Sequence, residues 1–286
     1  GKINGAASEK GDRHNREYVV HLNSMGEEST WLDASDMKRI TGSDYYLSGL
    51  LTPKTVTIQA AAYVRGFAQG LSRNVNIYEN SPVIAMKRAD GIWKVNTPKG
   101  SVSAPKVILC VNGHLQSFGF LKRRLMHIFL YASMTRAMTT EEIRRLGGEP
   151  SWGVAPANPF GSSVRKISGE GGHRILMRNK FHFNSTMEAS DSDIQRTVRN
   201  HDRSFQRRFP MLKNLEMEYR WGGRLCLSWN GVPVFGEIED GLFAACCQNG
   251  IGVSKGTLAG ILAAEYASGV QNTYIEDFLN EEQPSR

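Results

Sequence analysis

No uninterrupted apolar run in this sequence approaches the ~18 residues that a membrane-crossing helix requires. Cysteine is scarce. The four that occur, Cys110, Cys226, Cys246 and Cys247, all sit in apolar runs, with no C-x-x-C pair and no neighbouring histidine. That pattern argues against a zinc centre or any other metal site and against a disulfide framework, and it fits a reducing, cytoplasmic setting. Glycine motifs that cradle phosphates are also missing. No G-x-G-x-x-G follows a strand near the front, and Lys255 precedes Gly256 where a P-loop lysine would follow its glycine. Acidic residues fall short of basic ones by a net +7, with much of the excess between Lys122 and Lys213. No zinc finger, basic arm or RNA-binding aromatic motif accompanies those cations. They read as a solvated basic face, with small anionic ligands as the second choice and no nucleic-acid partner.

What is present begins with size. A chain of 286 residues exceeds one compact core, so one large or two interleaved domains are expected. The most informative stretch lies between Asp240 and Gly269. Leu242 to Cys247 has strand length and character, Gln248 to Gly252 is a polar glycine turn, and an amphipathic helix follows with Gly269 at its C-terminal cap. A glycine turn between strand and helix lets a ligand approach the backbone and aims free N–H groups and a helix dipole at it. Close helix–strand packing is the competing account of the same glycines.

Upstream, residues 8–17 read as charged helix surface, and 31–41 as a short helix capped by Asp33 or Ser35. The β-branched run 49–59 predicts one or two strands. Residues 60–71 predict a helix with Tyr63, Val64, Phe67, Ala68 and Leu71 on one face. Val75 to Tyr78 is assigned to the next strand of a parallel sheet. Strands at 83–88 and 92–97 flank a hairpin loop at Ala89-Asp90-Gly91. The apolar run Lys106–Val111 stops at Asn112-Gly113, which is either an ordinary turn or the carboxyl edge of a sheet where α/β folds bind ligands. Residues 122–137 read as strand, and 139–147 as a helix with a capping box from Thr139 to Glu142. Strand pieces then recur before a helix capped by Ser190 that Pro210 stops. This texture predicts an antiparallel sheet with a helix on one face, inserted into another domain. Trp221-Gly222-Gly223-Arg224 and Asn230 to Gly236 are either turns of a meander or a surface for a flat ring system.

In their order along the chain these motifs resemble one family. Ile58-Gln59 precedes the helix Tyr63-Val64-Arg65-Gly66-Phe67-Ala68, and Ile77 to Val83, Val107 to Gly113, Trp221-Gly222-Gly223, Asn230 to Gly236 and Asn249-Gly250-Ile251-Gly252 follow. The sequence resembles the glycine oxidase/D-amino-acid oxidase (DAO) family of FAD-dependent oxidoreductases, and within it the γ-glutamylputrescine-oxidase-like branch. The resemblance implies an α/β (α+β) fold: part of an FAD-binding domain with an inserted antiparallel-sheet substrate domain. It places 1–115 and 216–286 in the FAD-binding portion, with 31–58 as a possible contribution to the substrate domain, and 116–215 in the substrate-binding portion.

The same resemblance implies FAD as cofactor and a small amine or amino acid as substrate. It puts Val83 beside the adenine, and Val111, Asn112 and Gly113 beside the dinucleotide. Asn249, Gly250, Ile251, Gly252 and Val253 fall at the turn whose amides face the flavin pyrimidine. Arg165 and Arg178 fall in the inserted domain, where either pairs a substrate carboxylate or simply faces solvent. No catalytic side chain is assigned, and His114 and His182 are read as structural or surface residues. Two features depart from the family pattern. Ser228-Trp229-Asn230 stands where the family has Thr-x-Asp, and the opening βαβ unit with its G-x-G-x-x-G has no counterpart, Gly169-Glu170-Gly171-Gly172 lacking the flanking strand and helix. The first residue is Gly1, and nothing there reads as the start of a domain. The expectation is therefore the carboxyl-terminal portion of an FAD-dependent amine or amino-acid oxidoreductase, inactive and colourless by itself and self-associating through an exposed apolar surface. The alternative is a non-enzymatic binding or scaffold remnant of the fold.

Overall fold

The computed structural model describes residues 1–158 and 160–285. The chain opens with β1 (Lys2–Ala6) and α1 (Glu9–Ser24), where the Ser8 hydroxyl accepts from the Gly11 N–H. β2 (Thr30–Leu32), α2 (Ala34–Thr41) and β3 (Ser48–Thr52) follow, with Asp33 capping α2. Next come α3 (Ala60–Leu71), β4 (Ala85–Ala89), β5 (Ile92–Thr97), β6 (Gly100–Ala104), β7 (Val107–Leu109) and a 3-10 turn over Asn112–Phe118. The middle holds β8 (Leu125–Thr135), α4 (Thr140–Leu146), β9 (Trp152–Pro156), β10 (Ser163–Ile167), β11 (Arg174–Phe183) and α5 (Asp191–Arg208). Last are β12 (Met217–Ser228), β13 (Val234–Glu239), β14 (Leu242–Cys246), α6 (Ser254–Ala267) and α7 (Thr273–Asn280).

These elements form two compact units. The first comprises residues 1–59, 129–182 and 189–223, and the second 60–128, 183–188 and 224–286. The large sheet runs in the order β12-β8-β11-β10-β9-β1-β3-β2. Its inner face and α5 enclose a core in which Met37, Trp152, Ile175, Met177, Phe205 and Phe209 are buried. The sheet is antiparallel at β10–β11, β9–β10 and β1–β3, as the sequence texture predicts, but β1 and β9 pair in parallel.

The first 59 residues group with this sheet, whereas sequence reasoning offers only 31–58 to the substrate portion and keeps 1–30 with the FAD-binding portion. The physical reason lies in β1. Its sequence Lys-Ile-Asn-Gly-Ala carries little strand signal, yet Gly5 lets the backbone lie against Val154 and Tyr46, where a Cβ would come within 3.0 Å of the tyrosine ring. One other expectation fails: residues 75–78 form no strand. The helix expected over 60–71 is present as α3, and its Tyr63–Phe67 face has no buried residue.

The Arg136–Glu142 pair supports α4 and offers a pH test. Arg136 donates to both Glu142 carboxylate oxygens at 2.8 and 2.7 Å, and Glu142 closes the capping box on the Thr139 N–H at 2.8 Å. The guanidinium and the helix cap hold the Glu142 carboxyl down to about 2. A depressed carboxylate contributes stability that is complete above its ordinary value of 4.5 and is lost as pH falls toward about 2. Glu142→Gln is expected to cost roughly 1–2 kcal/mol at pH 7, discounted for the partly exposed arginine, and nearly nothing at pH 2. Urea melts of both proteins across that range check it, and a cost independent of pH would rule the pairing out as its source.

Candidate functional site

In the second unit β7 and β14 are parallel neighbours, Leu109 opposite Ala244. Two parallel strands end at one edge, so the turns beginning at Asn112 and Cys247 leave the sheet side by side. Both turns need left-handed backbone: φ is 49° at Asn112, 55° at Cys247, 49° at Asn249 and 87° at Gly250. The Asn249 side chain locks the second turn. Its oxygen accepts from the Ser228 N–H at 2.8 Å, and its amide donates to the Gly231 and Cys247 carbonyls at 3.0 and 3.1 Å. Asn249 is therefore a staple, and what the turn offers a ligand is backbone.

The Ile251 N–H is used within the turn, on the Gln248 carbonyl. The Gly252 and Val253 N–H groups have no hydrogen-bond acceptor among the described residues. α6 begins at Ser254 without a side-chain cap, so these amides add to its positive end. Nothing lies within 4 Å of where a Cβ on Gly252 would stand.

Gly113 serves the opposite purpose. A Cβ there would come within 2.7 Å of the His127 imidazole, so this glycine is required by close packing. His127 also contacts Gln116 at 2.8 Å, and burial, then nearby His114, push its pKa below the ordinary value. Sequence reading does not single out His127 or Gln116, because neither belongs to a glycine motif. His114 lies 2.8 Å from Arg224.

Val83 and Val111 line one cavity of about 760 Å³, together with Met86, His114, Phe118 and Phe120. The Asn249–Val253 turn does not line it. Behind the turn, the Cys226 thiol donates to the Cys247 sulfur at 3.4 Å. That bond raises Cys226 and lowers Cys247, while burial pushes Cys246 up to about 11. None of the four cysteines is bridged, and no metal-binding cluster occurs among the described residues.

In the first unit, Arg165 and Arg178 share one face of the large sheet. Ser163 pairs with Arg178 and Arg165 with Leu176, and residues two apart on a strand point the same way. Arg178 donates to the Ser163 hydroxyl at 2.7 Å and has no carboxylate partner among the described residues. Burial, and then the Arg165 charge, lower its pKa. Farther along β11, His182 meets the buried Tyr131 hydroxyl at 2.9 Å and stacks on the Tyr131 ring. The Trp221-Gly222-Gly223 motif belongs here as well, in β12, with Gly222 against Tyr131.

Comparison with known proteins decides the family. Residues 1–266 match the family described as FAD dependent oxidoreductase, DAO. The chain belongs to this family. Among relatives, the protein named probable oxidoreductase OrdL of Haemophilus influenzae is 26% identical over 237 residues, covering 82% of this chain and 52% of the relative. Gamma-glutamylputrescine oxidoreductase of Escherichia coli is 27% identical over 244 residues, covering 83% and 54%. The chain thus spans about half the length of the curated relatives it matches. The glycine oxidase structure from Geobacillus kaustophilus superposes with a TM-score of 0.79 at 18% identity, over 96% of this chain and 72% of that one. L-amino acid deaminase from Proteus myxofaciens gives 0.74 at 13%, over 98% and 75%. At such identities these structures speak for the fold, a mixed α/β flavoprotein architecture of the DAO type. No helix among the described residues is long and apolar enough to cross a membrane.

Proposed function

We propose that the whole protein to which this chain belongs is an FAD-dependent oxidoreductase acting on an amine or amino acid, in the manner suggested by the name gamma-glutamylputrescine oxidoreductase. The observation that carries this reading is the β14–α6 turn. Two backbone amides without acceptors, an uncapped helix start and the clear space at Gly252 together form an opening that suits an anionic or carbonyl-rich ring edge. The residues of this chain therefore fit the group. Asn249 to Val253 would hold the flavin ring, Val111, Asn112 and Gly113 the adjoining dinucleotide, and Val83 the adenine side.

When bound, FAD supplies hydride acceptance from the carbon bearing the amine, leaving an imine that water converts to a carbonyl. Around it the protein's own groups position and stabilise. The Gly252 and Val253 N–H groups and the α6 dipole favour negative charge at that edge. Asn249 holds the turn in its left-handed shape. Arg178, desolvated beside a like charge, gains from a carboxylate on the substrate, and Arg165 is the second candidate on the same face.

Taken alone, the 286-residue polypeptide is expected to carry no flavin and oxidise no amine. Two amide hydrogen bonds contribute roughly 0.5–1.5 kcal/mol each, against association costs of several kcal/mol or more. It also exposes Tyr63, Val64 and Phe67 on α3, each at least 41% accessible, and that face favours self-association. Absorbance at the flavin band and light scattering of the purified polypeptide test this. A yellow, monomeric protein with one flavin per chain would overturn the reading.

A further inference from the structure

We propose that the first unit carries a second ligand site: a pocket for a small phosphate-bearing molecule on the α5 side of the large sheet, the face opposite Arg165 and Arg178. The pocket encloses about 510 Å³ between α5, the end of β11 and Tyr45. From α5 it receives Asn200, Arg203, Ser204, Arg207 and Arg208. These positions recur at i, i+3, i+4, i+7 and i+8, one stripe of a helix, so three guanidinium groups are gathered on a single wall. From β11 it receives Asn179, Lys180 and Phe181. Strand alternation alone would turn Lys180 away, but its left-handed backbone, φ 58°, breaks the alternation and brings it to the same cavity.

The charge is uncompensated. Among the described residues no Asp or Glu lines the pocket, and none of Lys180, Arg203, Arg207 and Arg208 takes part in an ion pair. Elsewhere in this unit arginines pair routinely, as Arg136 does with Glu142 and Arg220 with Asp202. Arg208 is 7% exposed, and a buried cation without a counter-charge is costly. It donates to the Ser204 carbonyl and hydroxyl at 3.0 and 2.6 Å and lies over the Tyr45 ring at 4.2 Å, but its buried Nε has no acceptor. Asn179, also 7% exposed, donates to Ser162 at 3.2 Å and keeps its buried side-chain oxygen unpartnered. The Ser162 hydroxyl can donate as well as accept, so the carboxamide is able to turn either end toward an occupant. A doubly charged phosphate with three free oxygens satisfies converging guanidinium groups better than a single carboxylate does. At the rim Phe160 stacks on Phe181 with ring centroids 5.3 Å apart, both exposed, offering a shelf for the organic part of the ligand.

Calorimetric titration of the protein with AMP, inorganic phosphate, citrate and uncharged adenosine tests the proposal. AMP is expected to bind at least ~100-fold more tightly than adenosine, with inorganic phosphate between them. Arg203 and Arg207 are exposed and their replacement leaves the core untouched, so the double variant R203Q/R207Q is expected to keep its thermal melt and weaken AMP by ~30-fold or more. Arg196→Gln, on the same helix but outside the pocket, should change it less than ~2-fold. The proposal is overturned if AMP binds no better than adenosine. It is equally overturned if citrate outbinds AMP, which would mark a carboxylate site, or if R196Q weakens AMP as much as the double variant, which would mark diffuse attraction.

Discussion

Alanine in place of Gly42 is expected to unfold the sheet-and-helix unit under conditions where the parent chain is stable. Gly42 ends α2 with φ 74°, its N–H on the Lys38 carbonyl, and a Cβ there would stand on the Leu146 carbonyl oxygen at the end of α4. Backbone cannot swing aside as a side-chain tip does. Gly148 faces the same junction from the other side, with φ 71° and the Ile40 carbonyl oxygen 2.7 Å from where its Cβ would lie. Left-handed strain of about 1 kcal/mol and a backbone overlap together cost roughly 3–5 kcal/mol, a large share of a typical domain's ~5–15 kcal/mol. Gly26→Ala is the control, since Gly26 has φ 69° but nothing within 4 Å. Its cost should be only the conformational part, about 1 kcal/mol. Equal losses for the two variants in urea melts would show that the α2–α4 contact is not the cause.

The second large effect concerns the opening at Gly252. Its backbone lies outside the left-handed region and its side is clear, so leucine is sterically admissible and should change stability by less than ~1 kcal/mol. In the proposed flavoprotein the same isobutyl group would occupy the space in front of the free amides. G252L is expected to lower flavin occupancy at least ~10-fold with the melt unchanged. Full flavin content in that variant would remove the β14–α6 turn from the cofactor site.

How far the sequence discloses this structure varies with the kind of signal. Local chemistry reads through. The Asp33, Thr139 and Ser190 caps, and the strand–turn–helix from Leu242 to Ala267, follow from rules spanning a few residues, and the structure contains each of them. Long-range pairing does not. β1 owes its place to contacts of Gly5 and Gly49 with Val154 and Met37, side chains far along the chain or on another element, and no local pattern marks that. The Tyr63–Phe67 stripe of α3 was legible as a face, but periodicity says only that a face exists, not what covers it. At the candidate site, glycines announced the turn. The Gly113–His127 contact and the unpaired arginine stripe of α5 are properties of packing, invisible until the elements are placed.

Anaerobic titration of the complete protein with gamma-glutamylputrescine and a panel of amino acids tests the proposed flavin-dependent amine oxidation most directly. One bound FAD per chain is expected, with its absorbance bleached by at least one of these amines and an imine-derived carbonyl product formed in equal amount. A complete protein that binds no flavin, or whose flavin no amine reduces, would contradict it.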